Sequence, residues 1–402
     1  MGSQHDESAL PSGLKLSELD PTFRDAPHVR LDRLRRQAPR YLDPCSGGSR
    51  LFLTRHGDVR TALIDRALTR DAKKAPDRGA DVAAGTLLSM EGDKHRMGRK
   101  LVGRALDARA TEAKRALVVA IVDDLLDAVE VRGSFDGVAD FAAPVPLLTI
   151  ADILGLPRGD SVALKNWSAD AGILTMLPSR TAEQDGQLGA ATKALQSYVL
   201  AAVKARRAAP GDDLISELIA ADVNGLHLSN EEIAPLCLLL LVAGNLTTTD
   251  VIGNAIMLLL DHPEQLEQLR VKPELIDATV EEVLRFDPPV SAVARHLPEE
   301  GEYLGCPLPA GGTVKASILA ANRDPEVFSD PHVFRIDRTR REHVSFGGGA
   351  HACPGAALAR LEAAVAIERL FARFPRLRLS GEAPRKVAYG FRGFAELPLT
   401  IG

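Results

Sequence analysis

The chain has 402 residues, of which 45% are hydrophobic and 26% are charged, as in an ordinary soluble globular protein. Its formal net charge of -5 gives no general attraction to nucleic acid or to anionic lipid, so we expect neither as a partner. Four cysteines in so long a chain do not form a disulfide framework, and we therefore expect a reducing compartment, the cytoplasm.

The N-terminal segment is polar and lacks the basic region and apolar stretch of a secretory signal. No internal repeat or low-complexity linker divides the chain. We therefore expect residues 1–20 to form a flexible tail and residues 21–402 to form one domain. The longest apolar run, from Leu236 to Ala243, is too short to span a bilayer, so we expect no membrane association.

Helical patterning dominates the chain, and the strand-like pieces are short. The helical segments are Asp93 to Val131, Ala190 to Arg207 and Asn230 to Arg285. The strand-like pieces are Arg50 to Thr54, Gly312 to Ile318 and Leu397 to Ile401, and loops rich in Pro, Gly and Asp fill Asp71 to Gly85 and Asn322 to Arg341. This pattern predicts a mainly α protein with a small β portion.

The best-defined element is a helix from about Asn230 to Asp261. Ser229 and Glu232 form a capping box before an almost wholly apolar stretch, so the helix is predicted to be buried. Gly244 and three consecutive threonines, all poor helix formers, lie in its middle. We expect an interruption there, either as a groove that lets a ligand lie against the backbone or as a packing irregularity.

A glycine-rich loop from Phe346 to Gly355 places Cys353 just before the helix-like run Ala356 to Phe371. Amide groups at a helix start favour thiolate over thiol, which makes such a cysteine a good iron ligand. A lone cysteine is more often a small buried hydrophobe. A zinc site is excluded because the chain has no CxxC and its other cysteines lie in unrelated segments.

The loop fills every position of the haem-binding signature of the cytochrome P-450 family, and the chain resembles the soluble bacterial type from about His95 to its end. The resemblance implies a single-domain fold with the long central helix over haem b, iron protoporphyrin IX. Cys353 would be the axial ligand of the iron. The other residues implied to bind the haem are Phe346, Gly347, Gly349, His351 and Gly355 in the loop, and Ala243 and Gly244 in the helix.

Two further sets of residues match the family. His95 and Arg99, four apart, are similar to its propionate clamp, and Arg295 and His351 complete a group of four cations from three segments. Glu282 and Arg285 match the family's buried Glu-x-x-Arg pair. We expect Arg335 to be the third member of that pair's structural network. A solvated surface pair is the alternative for Glu282 and Arg285.

The resemblance implies a monooxygenase that inserts one oxygen atom from O2 into an organic substrate. The chain shows no flavin or iron–sulfur motif, so electrons are expected from a separate ferredoxin and its NAD(P)H-dependent reductase. Arg99, Lys100 and Arg104 are either a contact for that partner or a plain solvated face. We expect a monomer. A haem-thiolate sensor is the alternative of another class.

Proton delivery departs from the family pattern, in which an acid directly precedes a threonine. Thr247 matches the threonine, but Leu246 stands at the acid position. Asn245 and Thr248 with ordered water are one alternative route, and Asp250 is a partial substitute. Peroxide use or nitric oxide reduction is the remaining alternative, although no basic cluster near residues 83–89 suggests an NADH site.

The substrate pocket is implied only by resemblance. Its expected lining residues are Leu87, Leu88, Ala243, Thr247, Val290, Val293 and Phe391. Most are small or apolar, and no charged residue stands out as an anchor. We therefore expect a small, neutral, fairly hydrophobic substrate.

Overall fold

The computed structural model describes residues 10–70, 86–175, 180–221, 227–339 and 342–402. Helices make up most of these residues, which confirms the predicted fold class. The helices are α1 (Pro21–Asp25), α2 (Pro27–Gln37), α3 (His56–Ile64), α4 (Gly92–Ala105), α5 (Ala108–Glu112), α6 (Arg115–Glu130), α7 (Pro144–Ile153), α8 (Ser161–Thr175), α9 (Ala182–Ala208), α10 (Leu214–Ala220), α11 (Asn230–Asp261), α12 (Pro263–Val271), α13 (Ile276–Phe286), α14 (Ile318–Ala321) and α15 (Ala356–Arg373).

The strands are short and form small sheets. They are β1 (Arg40–Leu42), β2 (Arg50–Leu53), β3 (Ser134–Asp136), β4 (Ala292–His296), β5 (Gly301–Tyr303), β6 (Cys306–Leu308), β7 (Thr313–Ser317), β8 (Arg378–Leu379) and β9 (Pro398–Thr400). The main sheet has the order β1-β2-β7-β4, in which β2 and β7 are parallel and the other pairs antiparallel. The three strand-like pieces read from the sequence correspond to β2, β7 and β9.

Helix α11 begins and ends where the sequence predicts. The Ser229 side chain accepts from the Glu232 amide, and the Glu232 side chain accepts from the Ser229 amide, so the capping box is present. The predicted interruption is wrong, because α11 is helical throughout. The hydroxyl groups of Thr247 and Thr249 donate to the carbonyls four residues earlier, Ala243 and Asn245, each at 2.9 Å. These bonds satisfy the hydroxyls without breaking the helix.

The two halves of α11 belong to different parts of the core. Residues from Ile233 to Val242 pack with α7, α9 and α10, whereas those from Val251 to Leu259 pack with α6, α13 and α15. The polar middle of the helix therefore lies where two apolar clusters meet. Among the described residues, α11 is also the one helix long and apolar enough to cross a membrane. Since 78% of its apolar window is buried inside the protein, it is a core helix.

Two expectations are corrected by the fold. Part of the predicted tail is folded: Gly13–Leu16 forms a 3-10 helix, Leu16 is buried, and a carboxylate oxygen of Glu18 accepts from the Gly390 amide at 2.9 Å. Residues 1–9 and the predicted loop Asp71 to Gly85 lie outside the described residues. The helical run from Asp93 to Val131 is three helices, because short turns separate α4, α5 and α6.

Candidate active site

The loop before α15 is held by backbone hydrogen bonds. The Cys353 amide donates to the Phe346 carbonyl at 2.8 Å, and the Gly347 amide donates to the Val344 carbonyl at 2.9 Å. Gly347 and Gly349 have φ of 71° and 63°, in the left-handed region that favours glycine. A β-carbon on Gly349 would also lie 3.0 Å from the Ile64 Cα. The chain therefore needs glycine at both positions to present Cys353.

The Cys353 side chain is accessible although protein encloses it on most sides. Burial raises the pKa of its thiol, while the Gly355 amide and the nearby Arg99 and Arg360 charges act in the opposite direction. Arg99 also donates to the carbonyl of Ala352, next to the cysteine. The Gly355 amide, Arg99 and Arg360 therefore favour the anionic sulfur, but burial outweighs them, and the net direction of the pKa is upward.

Phe346 is fixed by a network that the sequence did not reveal. The Arg360 guanidinium lies 4.3 Å from the centre of the Phe346 ring. Arg360 Nε donates to Glu281 Oε1 at 2.6 Å, and His343 Nε2 lies 3.1 Å from Glu281 Oε2. Burial opposes the charge of Glu281, but the hydrogen bonds of His343 and Arg360 outweigh it and lower the pKa to about 2. An anion on α13 therefore positions the cation that covers Phe346.

The structural network of Glu282 has a different third member from the predicted one. Arg285 binds both carboxylate oxygens of Glu282 at 2.7 Å, and both side chains are buried. The third member is Arg338, whose Nε lies 3.1 Å from Glu282 Oε2. The prediction of Arg335 is wrong, because its side chain is 44% exposed and pairs with Asp337. Only the Arg335 amide reaches Glu282, at 2.9 Å.

The four predicted cations converge. The His95 and His351 rings stack with centroids 4.4 Å apart, and the buried Nε2 of His95 has no hydrogen-bond partner among the described residues. Burial and the neighbouring Arg70, His95, Arg295 and Arg99 lower the pKa of His351 to about 3. Burial and Arg70 lower the pKa of Arg295 to about 9. Burial and these neighbouring charges therefore disfavour the protonated form of His351, and a bound anion would favour it.

Arg70 belongs to the same group, although no sequence motif marks it. Thr69 and His296 form an antiparallel bridge, with each amide donating to the other's carbonyl at 2.9 Å. Arg70 is therefore opposite Arg295 on the same face. Glu91 Oε1 accepts from the Arg70 amide at 2.8 Å and from the Thr69 hydroxyl at 2.7 Å. Opposed like charges destabilise a strand pair, so this arrangement suits an anionic ligand between them.

The residues fit the haem that the resemblance implies. Gly244 is exposed in the middle of a core helix, although Val242 and Asn245 are buried. A β-carbon built on Gly244 would have no atom within 4 Å apart from the neighbouring backbone. A flat ligand has room at this point. Cys353 would hold the metal, and His95, Arg99, Arg295 and His351, with Arg70, would hold the two propionates. When bound, the haem supplies the activation of dioxygen and the transfer of one oxygen atom.

The predicted proton-carrying residues of α11 face different neighbours. The Thr247 hydroxyl is half-buried and bonded within the helix. Asn245 Nδ2 donates to Ser168 Oγ on α8 at 3.2 Å, so Asn245 faces α8. Asp250 is buried and paired with Lys386 at 2.5 Å. Burial raises the pKa of Asp250 to about 6, although Lys386 favours its ionised form, so its role as a partial substitute for the missing acid stays a prediction.

A carboxyl group that the sequence analysis missed lies beside Thr248. Glu362 of α15 is buried, and burial raises its pKa to about 8, although the hydroxyl groups of Thr149 and Thr248 favour its ionised form. Its Oε1 has no hydrogen-bond partner among the described residues. Glu362 is thus a protonated acid at neutral pH in contact with the middle of α11. A lone glutamate in an apolar helix was the only available signal.

The predicted pocket residues fall into two groups. Val290 and Phe391 are brought together by a β-bridge, and Leu88, Ala243, Thr247 and Val293 are half-buried. Leu87 is instead a core residue, 3% exposed, and its Cδ2 would lie 2.7 Å from a β-carbon on Gly98 of α4. Its lining role stays a prediction.

The chain has extensive matches among known proteins. The Cytochrome P450 family model matches residues 173–398. Cytochrome P450 107B1 of Saccharopolyspora erythraea is 34% identical over 96% of this chain and 98% of its own. Vitamin D(3) 25-hydroxylase of Pseudonocardia autotrophica is 36% identical over 95% of each chain. CYP109E1 from Bacillus megaterium in complex with testosterone has a TM-score of 0.87 and 32% identity, covering 94% of this chain and 98% of that one.

The named relatives are cytochrome P450 enzymes and hydroxylases, and they match nearly the whole chain. The loop around Cys353, the group of cations and the open position at Gly244 fit the cofactor of such enzymes. This chain therefore belongs to the cytochrome P450 family and is a haem-dependent oxidoreductase, a monooxygenase.

Proposed function

We propose that this enzyme inserts one oxygen atom from O2 into a small, neutral, fairly hydrophobic substrate, with Cys353 as the axial iron ligand and proton delivery that does not use the usual acid. The observation that carries the proposal is the accessible Cys353 at the end of its glycine-rich loop, together with the converging basic side chains of His95, Arg99, Arg295 and His351. These residues suit haem b, because its two negatively charged propionates complement the basic side chains.

Support for atypical proton delivery comes from the surroundings of Leu246. Its side chain packs against Gly172 of α8 and joins the apolar cluster of the N-terminal half of α11. It cannot hold a proton, and Asp250 is committed to Lys386. Among the described residues, the protonated Glu362 and the Thr248 hydroxyl lie beside the middle of α11 and can hold and pass one. We assign proton storage to Glu362 and transfer to Thr248, with Thr247 as the final acceptor.

Support for a neutral substrate comes from the pocket and from relatives. Val290 and Phe391 present apolar surface at one side of the proposed pocket. Vitamin D(3) and testosterone, which the names of two relatives specify, are neutral and largely apolar. A substrate of this class needs no charged anchor, and the cations near His351 are already matched by the haem propionates.

Electrons are proposed to come from a ferredoxin and its NAD(P)H-dependent reductase, with the enzyme acting as a monomer in the cytoplasm. The sequence shows no flavin or iron–sulfur motif that could supply them. Arg99 lies beside Cys353 and contacts the carbonyl of Ala352, which fits a negatively charged partner on that side.

Peroxide-driven oxidation is the second candidate, and the observation that favours it is the same Leu246. Peroxide already carries the electrons and protons that dioxygen requires. Product formed with a surrogate ferredoxin and reductase is to be compared with product formed with hydrogen peroxide alone. Turnover only with peroxide would replace the first proposal by the second.

The ligation is tested by the carbon monoxide spectrum of the reduced, haem-loaded enzyme. A thiolate ligand gives an absorption maximum far to the red of that of carbonmonoxy-myoglobin. Loss of this maximum in Cys353→Ser, but not in Cys237→Ser, would confirm the sulfur. A maximum near that of myoglobin in the unmodified enzyme under all mild conditions would refute it. Ligands are then found by screening small molecules for a shift of the Soret band to shorter wavelength.

A further inference from the structure

A cleft of about 300 Å³ lies apart from the proposed haem site, between the start of α2, the end of α13 and the C-terminal segment. Among the described residues that line it, three are arginines and one is a buried aspartate. The lining residues that matter here are His28, Val29, Asp287, Arg323, Arg385 and Arg392. None of them is needed for the function proposed above.

Two of the three arginines bind one buried carboxylate. Asp287 accepts from Arg385 Nη2 at 2.6 Å and from Arg392 Nε at 2.9 Å, and these arginines hold its pKa well below its usual range. Arg323 instead donates to the Phe286 carbonyl, at 2.7 Å from Nη2 and 3.1 Å from Nε. Among the lining residues, the floor of the cleft therefore carries three positive charges against one buried negative charge, while Asp32, outside the lining, also acts on Arg323.

The other carboxylate of the lining does not offset this excess. Asp25 is at the rim, its side chain is 60% exposed, and it pairs with Arg24 at 3.0 Å. Surface pairs of this kind are largely screened by solvent. The unbalanced charge of the floor thus remains.

Several donors of the floor are unused by the described residues. Arg392 uses Nε and Nη1, the latter toward the Arg24 carbonyl at 2.6 Å, and leaves Nη2. Arg385 uses Nη1 and Nη2, toward Asn254 and Asp287, and leaves Nε. The buried Nδ1 of His28 has no hydrogen-bond partner among the described residues. Groups of this kind bind carboxylates and phosphates through paired N–H donors.

Mutual repulsion between the basic groups of the cleft favours the binding of an anion. Burial and the charges of Arg285 and Arg392 lower the pKa of Arg323 to about 9, although Asp287 acts in the opposite direction. Burial and the charges of Arg323 and Arg392 lower the pKa of His28 well below its usual range. A ligand with two negative charges would balance the floor.

We propose that this cleft binds a small dianionic oxyanion, a phosphate monoester or a dicarboxylate, through Arg323, Arg385 and Arg392. The volume leaves room for an organic group beyond the anion itself. Because Arg392 contacts α1 and Asp287 ends α13, a bound anion would join the N-terminal helices to the C-terminal segment and stabilise the folded protein.

The test uses the haem-loaded full chain and inorganic phosphate or malonate as probes, at constant ionic strength set with sodium chloride. Binding is followed by calorimetry and by the melting temperature. Val29 is at the rim and 73% exposed, so charges can be added there without touching the arginines. Val29→Glu should weaken binding by about 3-fold or more, and Val29→Lys should strengthen it by a similar factor. Val162→Glu and Val162→Lys, at a 70% exposed site outside the lining, are the matched controls.

The outcomes are distinct. Opposite effects of the two Val29 variants, absent at Val162, support the site, and the tighter of the two probes identifies the anion class. Equal effects at both positions, or no saturable binding of either probe, overturn the proposal. Neither result depends on turnover, so failure here leaves the proposed enzymatic function intact.

Discussion

Leu246 of α11 lies so close to Gly172 of α8 that a β-carbon on Gly172 would collide with its Cδ1. By the resemblance to the family, this leucine stands at the position where an acidic residue is expected. At this position the chain makes a packing contact between two helices. The glycine makes this possible, because any larger residue at position 172 would displace the leucine.

The first prediction concerns this position. Leu246→Glu supplies a titratable group, and a general acid typically contributes about 10²–10⁴-fold to rate. We expect the rate of product formation to rise by about 10-fold, since delivery from a buried site is only partial, and the ratio of product formed to NADH consumed to rise as well. Leu246→Gln has nearly the same shape and cannot donate a carboxyl proton, so it should not raise the ratio. A flat or lower ratio in Leu246→Glu would show that Leu246 is not a missing relay.

The second prediction concerns Glu362 and pH. Its pKa is about 8 in the folded chain, against 4.5 for an ordinary glutamate, so the folded state holds a proton that the unfolded state loses. The contribution to stability is fully present below pH 4.5 and is lost as pH rises to about 8, with a slope of up to about 1.4 kcal/mol per unit. Glu362→Gln should reduce this slope in urea unfolding measured from pH 5 to 8.

The control for this experiment is Glu368→Gln, at an exposed site on the same helix. If Glu362→Gln leaves the pH dependence of the unfolding free energy unchanged, Glu362 is ionised in the folded protein and cannot be the proton store that we propose.

The third prediction separates Arg338 from Arg335. Removing one partner of a buried ion pair leaves an uncompensated charge and costs about 3–5 kcal/mol, so Arg338→Ala should strongly lower the free energy of unfolding. Arg335→Ala should change it by only about 0.5 kcal/mol, because that side chain is largely exposed. Urea denaturation of the haem-loaded protein measures both. Equal effects would contradict the assignment of Arg338.

The fourth prediction concerns Arg70. If it holds a propionate together with Arg295, Arg70→Gln removes a charge-assisted hydrogen bond worth about 1.5–3 kcal/mol, and haem loss to excess apomyoglobin should be about 10-fold faster or more. Loss of a nearby positive charge should also lower the reduction potential. Arg66→Gln, at an exposed position four residues earlier, is the control. Unchanged haem loss and potential in Arg70→Gln would remove Arg70 from the site.

Local rules predicted the elements well. The capping box of Ser229 and Glu232 fixed the start of α11, and the glycines at 347 and 349 are needed for backbone torsions that no other residue adopts easily. The threonines misled the prediction, because helix propensity does not include the hydroxyl bonds to Ala243 and Asn245 that let them remain helical.

Sequence spacing by itself determined the cysteine loop, the long helix and the segments that carry the cations, since each depends on residues near one another in the chain. Only the tertiary structure decided which side chains from distant segments meet. Arg338 rather than Arg335 reaches Glu282, Arg70 faces Arg295 through a two-residue bridge, and Glu362 contacts α11. These contacts join segments that are dozens to hundreds of residues apart. The burial that shifts the pKa values of these side chains exists only once the chain has folded.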